Sequence, residues 1–144
     1  MNNFIQVTDY DATIHREILD SLLREDAGSS ATIEVCENRA IATVRALISS
    51  RYDCDAIFSA TGDQRNVIIL KVCIDIAVYE IFCQHNPYKM SKTREDRYKD
   101  AMDFLREVRD HLASIEGAPL LPVDTQKDNS PWQIESNELR ATHF

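Results

Sequence analysis

Glycine and proline are scarce in this sequence, with three and four residues among 144. A sandwich or barrel of many turns needs more punctuation than that, so a few long helices are expected. No Cys-x-x-Cys pair occurs. Cys36, Cys54, Cys73 and Cys83 fall singly, three of them within apolar runs, where a thiol behaves as a small hydrophobe. Neither a basic arm nor a basic balance is present. Sixteen Lys and Arg stand against 24 Asp and Glu, a net charge of -8 that disfavours a protein built to neutralise phosphates. The N-terminus has no cationic start followed by an apolar run, so no export signal is read there, and the product is expected in the cytoplasm.

What is present is a folding composition, 44% hydrophobic and 28% charged, in a length suited to one domain. Gly28, Gly62 and Gly117 stand where the apolar period resets. After a short extended lead-in at Phe4-Ile-Gln-Val7, Thr8-Asp-Tyr-Asp11 has capping-box spacing, and a helix with Ile14, Ile18, Leu19, Leu22 and Leu23 on one face should follow. Ile33, Cys36, Ala40, Ile41, Val44, Leu47 and Ile48 recur at threes and fours, one face of a second helix of about 20 residues. Glu34, Glu37, Arg39 and Arg45 take its other faces. Residues 51–61 read as a loop anchored by Ile57 and Phe58. Thr61-Gly-Asp-Gln64 again has capping-box spacing, opening a third helix over about 64–85.

That third helix is apolar on nearly every side and should be central and buried. Lys71, Asp75 and Glu80 interrupt it too often for a membrane span. Lys71 and Asp75, one turn apart, either pair with each other or meet a neighbouring subunit. Asn86-Pro87 ends the helix. A fourth helix over about 92–115 carries Tyr98, Ala101, Met102, Leu105, Val108, Leu112 and Ile115 on its packed stripe, with Arg94, Arg97 and Tyr98 set to hold it against the third. The expected fold is therefore all-α: a four-helix domain over residues 1–116 with a long central buried helix, and an extended tail over 117–144.

Chemistry is sought without success. His15, His85, His111 and His143 are scattered, and Asp9-Tyr-Asp11 and Asp53-Cys-Asp55 lack the sixth-position glycine of a calcium loop. No phosphate cradle, no G-x-S-x-G and no carboxylate pair on an apolar wall is read, so neither enzyme, metal nor cofactor is expected. In the tail, Leu120, Leu121, Trp132, Ile134 and Phe144 are too sparse for a core of their own, while Pro119, Pro122 and Pro131 hold the backbone extended. These anchors are expected to dock on a partner, a neighbouring subunit first.

The run from Ile74 to Met90, Ile-Asp-Ile-Ala-Val-Tyr-Glu-Ile-Phe-Cys-Gln-His-Asn-Pro-Tyr-Lys-Met, is followed by Arg94-Glu-Asp-Arg-Tyr-Lys-Asp-Ala-Met-Asp-Phe-Leu105. With the Ser50-Arg-Tyr-Asp loop, the Phe-Ile-x-x-Thr-Asp lead-in and an aromatic ending after Ser136-Asn137, it resembles the Mu-like phage head-morphogenesis family, related to head-completion and head-tail connector proteins. Tyr88 stands where that resemblance calls for a basic residue. The resemblance implies a non-catalytic helical adaptor that forms a homo-oligomeric ring between portal and tail-side connector protein. It would assemble in the host bacterial cytoplasm and then belong to the virion, with no sequence-specific nucleic acid and no membrane. A small helical protein-binding module, or a dimeric host-directed adaptor without a virion role, is the rival reading from the residues.

Overall fold

A computed structural model of the chain describes residues 4–12, 29–85, 88 and 90–122. Among these, four helices are present: α1 (Ser29–Ile48), α2 (Cys54–Ser59), α3 (Val67–His85) and α4 (Lys92–Arg109). The class is all-α. The expected first helix, with Ile14 through Leu23, lies outside the described residues, as does the Asn86-Pro87 turn. The lead-in is a bend followed by a 3-10 turn over Val7–Ala12. Phe4, Ile5 and Tyr10 are buried there, and the Asp9 carboxylate accepts from Gln6 N–H at 2.7 Å.

The helix α3 is the centre of the core. Ile69, Val72, Cys73, Ile74, Ile76, Ala77, Val78, Ile81 and Phe82 are all buried, because α1 and α4 both pack against it. Cys36 of α1 meets Gln84 and Arg39 approaches Glu80, so α1 runs antiparallel to α3. Tyr79 meets Tyr98 and Phe82 meets Arg94, so α4 does the same. Both flanking helices supply the expected stripes: Cys36, Ala40, Val44 and Ile48 from α1, and Ala101, Leu105 and Val108 from α4.

Four sequence expectations are corrected. The 51–61 loop contains α2, a helix of six residues whose N-cap Asp53 accepts from Ala56 N–H at 3.1 Å. Thr61-Gly-Asp-Gln64 forms a 3-10 turn without a side-chain cap, and α3 begins three residues later. Its cap is Asn66, whose Oδ1 accepts from Ile68 and Ile69 N–H. The helix α4 stops at Arg109 instead of about 115. His111 there adopts φ 62°, Leu112 N–H reaches Glu107 C=O at 2.8 Å and His111 N–H reaches Val108 C=O at 3.2 Å. This is a Schellman termination with histidine in the position glycine usually fills. Leu112 consequently leaves the packed stripe and is 80% exposed, whereas Ile115 returns to the core. Finally, Glu37 does not face water. Tyr10 Oη donates to Glu37 Oε1 at 2.6 Å in a buried contact, and burial holds the Glu37 carboxyl above its ordinary pKa.

Candidate interaction surface

At the end of the bundle where α1 and α4 finish and α3 begins, the chain after α4 folds back over the α1–α2 connection. Arg51 Nη1 donates to Ala113 C=O at 2.9 Å, and the buried Tyr52 hydroxyl accepts from Ile115 N–H at 2.8 Å. Asn66 Nδ2 donates to Glu116 C=O, also at 2.8 Å. Gly117, at φ 75°, then turns the chain along Tyr52. Leu120 pairs antiparallel with Tyr52 through Asp53 N–H to Pro119 C=O at 2.9 Å and Leu121 N–H to Arg51 C=O at 3.1 Å. The lead-in is tied to the same end. Arg65, with Asp9, forms a nearly buried two-point ion pair, and its guanidinium also donates to Phe4 C=O at 2.7 Å. Burial pushes the Asp9 carboxyl up, but Arg65 and the Gln6 amide more than offset this, so its pKa lies below the usual carboxylate value.

These polar ties satisfy the backbone and leave large apolar side chains outside. Leu120 is 62% exposed, Leu121 is also exposed, and so is Leu112, next in the chain to the Ala113 that Arg51 holds. Next to them is a cleft of about 590 Å³, lined by Ala56, Ile57, Ala60, Val67, Ile68, Gly117 and Pro119, with Gln64, Arg65, Asn66 and Glu116 at its polar margin. Val67 is 77% exposed, although it opens the most buried helix of the fold.

The sequence-derived interaction candidates separate into four groups. Leu120 and Leu121 lie on this surface. Tyr88 is 97% exposed in the segment between α3 and α4, at the opposite end. Trp132, Ile134 and Phe144 lie outside the described residues. On α3, Lys71 is exposed while Asp75 is buried close to Arg97 and Asp100 of α4. Burial raises the Asp75 pKa against the opposing charges of Lys71 and Arg97, and neither cation closes an ion pair with it. Val67, Ile68 and the Arg51 and Asn66 ties are not among those candidates, and Leu112 reads in the sequence as part of the packed stripe of α4. Residues 51–61 read there only as a loop anchored by Ile57 and Phe58.

The other end is aromatic and charged. Tyr79 and Tyr98 stack with ring centroids 3.8 Å apart, and the Arg94 guanidinium lies 4.3 Å from the Phe82 ring centroid. Arg94 and Tyr98 thus hold α4 against α3. Arg94 Nη1 is buried without a hydrogen-bond partner, and burial lowers the Arg94 pKa. Among the described residues no three His, Cys, Asp or Glu side chains converge into a metal-sized cluster. No helix there is long and apolar enough to cross a membrane.

The family model described as Bacteriophage Mu, Gp36 matches residues 3–130. The chain belongs to the bacteriophage Mu Gp36 family. The match spans the lead-in, all four described helices and the start of the tail, so the phage resemblance of the α3–α4 segment extends over most of the chain. Comparison with curated proteins and with solved structures finds no match. In this Gp36-family chain, then, a cleft and several exposed apolar side chains lie at one end of a three-helix core.

Proposed function

We propose that this phage protein is a structural head-tail connector, or head-completion protein, that forms a homo-oligomeric ring between the portal and a tail-side connector protein. The observation that carries the reading is that Leu112, Leu120 and Leu121 are exposed on the segments Arg51 ties down, next to the cleft that Val67 and Pro119 line. Large exposed apolar side chains held on a rigid backbone mark contact surfaces. The role is contact and no catalytic step is assigned. A net charge of -8 suits a ring through which DNA passes, since like charge favours sliding over sticking. The protein would be made in the bacterial cytoplasm and retained in the virion.

Deletion of the gene tests this. The expected result is DNA-filled heads that fail to join tails, with the protein retained by purified portal and visible in necks by electron cryomicroscopy. Normal tailed virions lacking the protein would overturn the reading. A portal-indifferent small oligomer in that case would fit the host-directed adaptor.

A further inference from the structure

We propose that the cleft beside Val67 receives Trp132 and Ile134 from the tail of a second copy of this chain, an inference that rests on the connector reading and names the contact between its subunits. The cleft has the size of a side-chain-binding pocket, about 590 Å³, and its apolar wall is made by Ile57, Ala60, Val67, Ile68 and Pro119. Val67 and Ile68 are the exposed start of a helix that buries Ile69 and every residue from Val72 to Val78. Asn66 caps that start and holds Glu116, which ties two sides of the cleft together.

The occupant follows from the chain itself. The described chain ends at Pro122, and the next 22 residues contain the only tryptophan in the sequence. Trp132 and Ile134 are two apart, so in an extended segment they project from one face. Pro131 fixes its own φ and pushes Ser130 towards extended backbone, which suits such a segment. Tryptophan can bury roughly 150–250 Å² in a single anchor. The route points to another copy. Pro119 lines the cleft, and the pairing of Leu120 with Tyr52 then leads the chain away from it towards Arg51. Residues 123–131 can span about 30 Å when extended, enough to reach a neighbouring domain. A ring also needs two different complementary surfaces on each subunit, and a cleft with a separate arm is such a pair.

Trp132 reports on its own position. Emission of the full-length protein should match exposed indole in dilute solution and move to the blue as concentration rises, in step with mass by light scattering. Val67→Asp, at an exposed helix start where a carboxylate suits the dipole, should leave the helical circular dichroism unchanged and raise the association midpoint about tenfold or more. Trp132→Ala should weaken association equally. Blue emission that is independent of concentration and lost in Val67→Asp would place the arm in its own cleft and overturn the proposal. Emission that never shifts, or a shift indifferent to Val67→Asp, would overturn it as well. Tail joining in the gene deletion is scored separately, so the connector reading can stand when this contact fails.

Discussion

The two ends of the bundle solve the same problem by different means. Where α3 meets the start of α4, side chains pack on one another: Tyr79 on Tyr98 and Arg94 on Phe82. Where α3 begins, polar side chains tie backbone to backbone through Arg51, Tyr52, Arg65 and Asn66. The first arrangement buries Phe82 and half-buries the two stacked rings, with Tyr88 left outside. The second holds irregular chain in place while leaving Leu112, Leu120, Leu121 and Val67 exposed. Hydrogen bonds to backbone order a segment without covering its hydrophobic side chains.

The largest predicted effect breaks the tied end. Arg65→Ala leaves the nearly buried Asp9 carboxylate without its cation, and should cost about 3 kcal/mol in urea unfolding. Tyr98→Ala acts at the stacked end on a half-buried ring. It should cost about 2 kcal/mol and leave association per folded molecule unchanged. A Tyr98 variant that stays stable but cannot assemble would move the interface to the wrong end. His111→Gly should add about 0.5–1 kcal/mol, since glycine tolerates the left-handed backbone that histidine adopts there.

The last effect is a slope with pH. The folded-state pKa of Asp75 lies above the ordinary 3.8, so between the two values the folded protein holds more protons than the unfolded chain. Stability therefore falls as pH rises through that window, and the penalty is complete above it. Asp75→Asn should raise the urea midpoint at about pH 7.5, with the gain shrinking on acidification. Glu37 contributes a slope of the same sign, and Asp9, with its lowered pKa, one of the opposite sign at lower pH. A variant no more stable than wild type at neutral pH would show that Lys71 and Arg97 fully compensate the buried charge.

Long apolar periods were legible in the sequence and local stops were not. The helix α3 announced itself because its apolar run is nearly unbroken, and the stripes of α1 and α4 because they repeat over several turns. Six residues are too few for α2 to show a period, although Asp53 three residues before Ala56 was a readable cap. The end of α4 was hidden because a histidine does the work expected of glycine, so Leu112 still fell in register with Val108. Capping-box spacing at Thr61 misled because Asn66 competes for the same helix start and wins with two bonds to backbone amides. Leu120 and Leu121 were found as sparse apolar residues between prolines. The cleft could not be found, since it exists only once residues 116–119 fold back against the start of α3.

Amide hydrogen exchange on the isolated chain and on purified phage necks tests most directly whether the tied end is the docking end. Protection gained on assembly is predicted in residues 51–68 and 112–122, with the backbone of 79–98 little changed. Protection gained in 79–98, with 51–68 and 112–122 exchanging as in the free chain, would contradict it.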